Sequence, residues 1–462
     1  MKKTIRNVIL ILVSITSLFV ILAVAGYLPG ISTADMANLP ENTESTPPTQ
    51  AESFSDADDL VIKPLVADPL PQMEEEPEPV FEPLVIHLMA VGDNLLHMPI
   101  VRNGKQADGS YNYDFEFEDI APFLDASDIA IINQETPLAG NQRGFSGFPQ
   151  FNSPTEVGDA IVKAGFNVVL GATNHAFDQG AEGLISFADY FENNYPEILM
   201  CGIHGSNTES DESKNALEQG RIKLLEIKGY TFAFLNYTYG PNLGSYPGSI
   251  EGHLDLLCAH DPKSHAIDFT SIEPTVLEDI QLADSLADIV VVCPHWGTEY
   301  SPTPSKYQID WARQMTDAGA DLIIGTHPHV VQPVETITTE AGNTSLCYYS
   351  LGNYVSTQKV RRSMLEAMAW VTFRDDGDGL YLDWNETGAL GMIDQYTAGP
   401  LSFKHIYFLE DYTDDLAARH GITSWGEGRL NVNDLNTWAE ELFGDMRLTQ
   451  DDLGIFAPIE LP

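Results

Sequence analysis

The sequence predicts an α/β layered domain with mixed sheets, and three observations support that fold class. Apolar runs of strand length alternate with amphipathic segments of helix length along most of the chain. Two of the helical segments end at Gly165 and Gly319, where a left-handed residue is expected to stop a helix. Two neighbouring strand-like runs, Ile222–Ile227 and Thr231–Tyr237, are joined only through Lys228-Gly229-Tyr230. So short a connection favours an antiparallel hairpin within a pattern otherwise linked by crossovers.

Taken in order, the expected strands are Val85–Val91, Asp128–Ile132, Asn167–Leu170 and the two hairpin runs. Ile289–Cys293, Leu322–Ile324 and Leu346–Ser350 follow. Each is a short run rich in Val, Ile and Leu, as suits a strand covered on both faces. The helices expected between them are Pro154–Ala164, Ala181–Asn193, Pro274–Ala287 and Ser305–Ala318. In the third, Thr275, Leu277, Ile280 and Leu286 are interleaved with acids, the pattern of a helix with one buried side. From about Pro400 the chain is acidic with scattered aromatics, which predicts a small, mainly helical appendage packed on the main domain.

The N-terminus carries Lys2, Lys3 and Arg6 ahead of an unbroken apolar run from Val8 to about Gly26. That run is near bilayer-spanning length, and its basic flank belongs on the cytoplasmic side. Residues 1–31 are therefore expected to be a single-pass anchor at the cell membrane, with everything downstream extracellular. Ala23-Val24-Ala25 also resembles a cleavage site, so release of a mature protein is the alternative. Residues 32–83, rich in Pro, Glu, Ser and Thr, read as a solvated linker. The main domain is placed at 84–395 and the appendage at 396–462.

A formal net charge of -45, from 68 acids against 23 Lys and Arg, leaves no basic excess to neutralise phosphates, so nucleic acid is not an expected partner. The four cysteines show no CxxC spacing, and Cys293 and Cys347 sit in apolar runs where buried thiols are expected.

The functional signal is positional. Several strand-like runs end in a glycine or turn followed by metal-capable side chains: Asp93, then Glu135, then Asn174 and His175. His295 and Glu299 end another run, and His327 and His329 a further one. Any one of these is ordinary alone: Asp93 as a turn or cap, Glu135 as a loop acid, His295 as a satisfied buried imidazole. All of them at the carboxyl ends of strands point to one shared crevice. The donors are oxygen and nitrogen without thiolate, which suits Mn, Fe or Zn at a catalytic site, one or two ions per chain. Two ions could share a bridging carboxylate.

In this order the motifs GD, NxE, NHxxDxG, HWGxEY, GxHPHVxQ and SLGNY resemble the CapA family of capsule or poly-γ-glutamate synthesis proteins. They begin at Gly92, Asn133, Asn174, His295, Gly325 and Ser350. That family is similar to the calcineurin-like metallophosphoesterases, so the resemblance implies a four-layer α/β/β/α sandwich. By motif, Asp93 and His329 would hold a first metal, Glu135 would bridge, and Asn174, His295 and His327 would hold a second. His175 would be a general acid or charge stabiliser near the leaving group, oriented by Asp178. The chain departs from the wider superfamily at Leu95, where a histidine is usual, and at Glu135, where a shorter aspartate is usual. Ala172-Thr173 stand before Asn174 where a second asparagine is usual, and His97, four residues after Asp93, is expected to pack rather than ligate.

Three functions are compatible with these features. One is a metal-dependent hydrolase acting on a phosphoester or an anionic polymer. A second is a non-catalytic assembly or polymer-binding component beside membrane capsule-synthase subunits. The third is an exported protein that binds small anions.

Overall fold

The computed structural model describes residues 83–208 and 214–458. The anchor expected in 1–31 and the linker up to residue 82 lie outside the described residues. The strands in chain order begin with β1 (Leu84–Asn94), β2 (Ile129–Asn133), β3 (Val168–Leu170), β4 (Leu199–Cys201), β5 (Lys223–Ile227) and β6 (Tyr230–Thr238). Next come β7 (Cys258–His260), β8 (Ile267–Ile272), β9 (Ile289–His295), β10 (Leu322–Ile324), β11 (Val334–Thr338) and β12 (Thr344–Tyr348). The last are β13 (Asn353–Val355), β14 (Glu366–Asp375), β15 (Tyr381–Leu382), β16 (Gly388–Thr397), β17 (Ser402–Phe408) and β18 (Arg447–Leu448).

One sheet runs β17-β16-β14-β1-β2-β3-β4, with β13 beside β1, β15 beside β14 and β18 beside β16. The other runs β11-β12-β10-β9-β6-β5, and β7 and β8 form a separate ribbon. Both large sheets are mixed: β1, β2, β3 and β4 are parallel while β14 is antiparallel to β1, and the β5–β6 hairpin is antiparallel beside parallel β6, β9, β10 and β12.

The period of two along each strand builds the layers. Ile86, Leu88 and Ala90 of β1, with Ile129 and Ile131 of β2, pack in one core with Phe232, Phe234, Ile289, Val291 and Leu322 of the second sheet. The alternate residues Met89, Val91, Ala130, Ile132, Ala233, Leu235, Val290 and Val292 belong to the other core, with the helices. Those helices are α1 (Glu156–Ala164), α2 (Gly180–Asn194), α3 (Pro274–Leu286) and α4 (Lys306–Ala318). They supply Val157, Ile161, Leu184, Phe187, Val276, Ile280, Trp311 and Met315. The result is helices, sheet, sheet, helices, the four-layer sandwich. Helices α1 and α4 end at Gly165 and Gly319 in the left-handed conformation, as their sequence positions predicted.

The chain beyond Pro400 is less helical at its start than its composition suggested. It first adds β17 at the sheet edge and later β18 against β16, because backbone hydrogen bonds at an open edge need partners. The buried residues Leu435, Ala439 and Phe443 of the helix Val432–Phe443 pack on the intersheet core. All four cysteines are buried free thiols.

Candidate metal centre

Every predicted site residue lies at the carboxyl end of a strand or in the turn after it. Asp93 is the penultimate residue of β1 and His295 the last of β9. Glu135 follows β2, Asn174 and His175 follow β3, and His327 and His329 follow β10. The register brings the first of these inward: Asp93 stands opposite Asn133 on β2 and opposite Asn353 on β13. Gly92 allows that approach, because a Cβ there would run into the Gly352 carbonyl. Gly325 serves the same purpose before His327, where a Cβ would meet the Tyr349 carbonyl and the Trp296 indole.

The resulting cluster is buried and tightly spaced. His329 Nδ1 lies 3.0 Å from Asp93 Oδ2 and 3.7 Å from Glu135 Oε2. His295 Nε2 lies 3.0 Å from Asn174 Oδ1 and 3.9 Å from Glu135 Oε1. Ligand-capable atoms of Asp93, Glu135 and His329 fall within 4.8 Å of one another, as do those of Glu135, His295 and His327. Glu135 is common to both triads. His327 and His329 adopt positive φ angles of 97° and 57°, which non-glycine residues rarely take, at roughly 1–3 kcal/mol each. The turn is held strained so that both imidazoles face one point.

A divalent cation fits this donor set. Both carboxylate oxygens of Glu135 are fully buried without a hydrogen-bond partner, and so is His327 Nδ1. Orphaned polar atoms at 0 % exposure are costly unless something binds them. Burial holds His295 and His327 well below the usual histidine range, with neighbouring imidazoles adding to the effect, so both are neutral, the form that ligates. Burial pushes Glu135 well above the usual carboxyl range, with Asp93 and Glu299 reinforcing it against His329. Burial alone would lower His329, but Glu135 and Asp93 outweigh it and hold the ring at about 9. Without metal, then, the centre retains protons that a cation would displace.

His175 stands beside this cluster. Its Nδ1 lies 2.7 Å from Asp178 Oδ2 and its Nε2 4.0 Å from Glu135 Oε1. Asp178 is itself fixed by the Phe151 backbone N–H at 2.7 Å, and the Phe151 ring packs edge-on against the imidazole.

The supporting residues were not derivable from spacing. The Thr326 hydroxyl lies 2.9 Å from His295 Nδ1 and turns the other nitrogen toward the centre. Asn133 donates to Asp93 Oδ1, Asn353 Oδ1 lies 3.1 Å from His329 Nδ1, and Asn242 Oδ1 accepts from Asn174 Nδ2. Asn133 and Asn353 are letters of the NxE and SLGNY motifs, a signal that could have flagged them; Asn242 lies in no motif. Leu95 is buried, contributing no donor. His97 Nδ1 faces Leu95 O and Thr357 N, and its ring packs edge-on against Phe151, a packing role as expected.

Comparison with known proteins follows the same stretch of chain. Residues 87–358, which include all of these side chains, match the family described as bacterial capsule synthesis protein PGA_cap. The PGA biosynthesis protein CapA of Bacillus subtilis is 29% identical over 301 residues, covering 64% of this chain and 70% of that one. The capsule biosynthesis protein CapA of Bacillus anthracis is 29% identical over 288 residues, covering 60% of this chain and 62% of that one. Among solved structures, the calcineurin-like phosphoesterase YfkN from Bacillus subtilis aligns with a TM-score of 0.36 at 10% identity, over 78% of this chain and 97% of that chain. The NAD nucleotidase NadN of Haemophilus influenzae aligns with a TM-score of 0.37 at 11% identity, over 70% and 54% respectively. With more than half its length matched, and every residue of the buried centre inside the match, the chain belongs to the bacterial capsule synthesis protein PGA_cap family.

Proposed function

We propose that this protein is a metal-dependent, phosphoesterase-type hydrolase that serves the synthesis or export of an anionic capsule polymer at the outer face of the cell membrane. One observation carries the catalytic part: Glu135, with both oxygens buried and unpartnered, shares a ligand-sized cluster with the neutral imidazoles of His295 and His327. Family membership and relatives named for PGA and capsule biosynthesis support the biological role. The anchor rests on the apolar run after Arg6; among the described residues no helix is long and apolar enough to cross a membrane.

In this reading Asp93, Glu135 and His329 would hold one divalent cation, and Glu135, Asn174, His295 and His327 a second. Such a cation supplies Lewis acidity and a hydroxide near neutral pH. Asp178 accepts from His175 Nδ1 and so sets the ring with Nε2 toward the centre. From there Nε2 can hand a proton to a departing oxygen. Asn242 holds the Asn174 amide so that its oxygen turns inward. Phe151 seals one side of His175 from water.

A second reading, a polymer-binding assembly component without turnover, is favoured by one feature: Leu95 leaves the first cation one histidine short of the superfamily's usual set. The two are separated by metal content and turnover of a generic phosphodiester, and of poly-γ-glutamate, in wild type and His327→Ala. Hydrolysis and the cation that His327 would hold are both expected to disappear in the variant. Metal lost without turnover in either form would support the assembly component, and metal content unchanged in the variant would overturn the centre itself.

A further inference from the structure

A protein at -45 repels an anionic chain over most of its surface, except where cations gather without acid partners. Three cavities border residues of the centre, and their charges differ. One, of about 670 Å³ beside Asn174 and His175, is lined by Asp178 and Glu299 and by no Lys or Arg. Another, of about 660 Å³ beside His327, sets Lys306 against Glu299. The third, of about 630 Å³ beside His175 and His329, is lined by both Arg102 and Lys359, with Glu299 as its single acid. Both cations are exposed, and among the described residues neither is in an ion pair.

We propose that this third cavity is an anion subsite, in which Lys359 and Arg102 grip a second carboxylate or phosphate of an organic chain whose first lies at the metal centre. It rests on the reading that the centre takes an anionic substrate. Lys359 stands outside the family match, which ends at residue 358, and so does Trp425. The two are built together. Lys359 Nζ lies over the Trp425 ring, 5.1 Å from its centroid. Trp425 Nε1 donates to Thr357 O at 2.9 Å, and the Glu427 N–H donates to Lys359 O at 2.9 Å. Gly426 passes so close that a Cβ there would run into the Lys359 carbonyl. The chain beyond Pro400 thus supplies one wall of the cavity.

The same loop is tied to the centre from its other end. Gln358 Nε2 donates to the Tyr300 hydroxyl at 3.3 Å, and Asn353 Nδ2 donates to Gln358 Oε1 at 3.1 Å. Asn353 is the residue whose amide oxygen faces His329 Nδ1. The ammonium is therefore carried on a backbone fixed from both sides, while its own flexible stem can follow the ligand. Aromatic surface completes the subsite, with Phe148 75 % exposed and Trp425 43 % exposed at its rim. Exposed rings beside cations fit a chain that alternates charge with carbon, and a free inorganic anion would leave those rings in water.

The test is calorimetric binding of two probes, penta-γ-glutamate and a hexanediol bisphosphate, to the full-length protein in MnCl₂, as wild type, Lys359→Gln, Lys359→Arg and Lys306→Gln. Lys359→Gln alters an exposed side chain whose backbone carbonyl keeps its partner, so the fold is kept. The expected result is affinity for at least one probe about tenfold weaker in Lys359→Gln, largely restored in Lys359→Arg and unchanged in Lys306→Gln. A loss seen with one probe alone identifies the anion as carboxylate or phosphate. Wild-type affinity for both probes in Lys359→Gln overturns the subsite. An equal loss in Lys306→Gln also overturns it, because the effect is then one of net charge. Failure of wild type to bind either probe does so too. Turnover is measured in parallel: binding weakened in Lys359→Gln, with no hydrolysis by wild type, sinks the hydrolase reading and leaves the subsite standing.

Discussion

Replacing Glu135 by glutamine should separate what the centre costs the fold from what it does for metal. The side chain is fully buried and neither oxygen has a donor. Leaving a polar group of this kind unsatisfied costs about 1–3 kcal/mol, more when it is charged. An amide of the same shape carries no charge, so in chelator Glu135→Gln is expected to be more stable than wild type by about 1–3 kcal/mol. At about 2 °C per kcal/mol for a domain of this size, that is a rise in Tm of about 2–6 °C. With a divalent cation at a thousandfold excess over its Kd, wild type gains about 4 kcal/mol, or about 8 °C, and overtakes the variant. The variant has lost the carboxylate common to both triads and should gain little. The sign with pH is fixed as well. Burial raises the Glu135 carboxyl, so its folded form holds a proton that the unfolded chain releases, and wild-type stability falls as pH rises above the unfolded carboxyl range. The gap between the two proteins in chelator should therefore widen with pH. The assay is calorimetric melting with EDTA or MnCl₂. A variant that melts below wild type in EDTA, or that keeps the full metal-dependent rise, would refute the reasoning.

Other expectations follow from neighbouring groups. His175→Ala should lower hydrolysis by about 10²–10⁴-fold at unchanged metal content, measured by metal analysis and kcat on a phosphodiester; equal loss of metal would make it a ligand instead. Asp178→Ala should lower kcat while KM changes little, because the ring loses the acceptor that fixes its tautomer. Glu116 is fully buried, and burial pushes its carboxyl from 4.5 up to about 8. A raised carboxyl stabilises the fold only below the unfolded value, so stability should fall by up to about 1.4 kcal/mol per pH unit between roughly 4.5 and 8. Glu116→Gln should flatten that part of the profile in urea melts of the chelated protein; an unaltered slope would count against the buried carboxyl as its source.

Much of the centre was legible in the chain because the donors arrive in short motifs, each after an apolar run. Apolar runs ending in a glycine or turn place Asp93, Glu135, Asn174, His295, His327 and His329 at strand ends from the sequence alone. The alternation of Ile86, Leu88 and Ala90 with Met89 and Val91 likewise determined which side chains face the second sheet. These are local properties: a period of two, a glycine after a helix, a histidine flanking a proline.

What the tertiary structure alone decided is proximity. Asp93 and His329 are 236 residues apart yet hydrogen-bonded at 3.0 Å, and no local pattern encodes that. The same holds for Asn242, which sits in no motif and still fixes Asn174 across 68 residues. The edge strand β17 escaped a composition-based reading because its alternation is broken by Lys404 and His405, and only an open sheet edge makes it a strand. Sequence sets the donors and their order; distance between them is set by how two sheets stack, because packing brings together residues whose separation along the chain carries no signal.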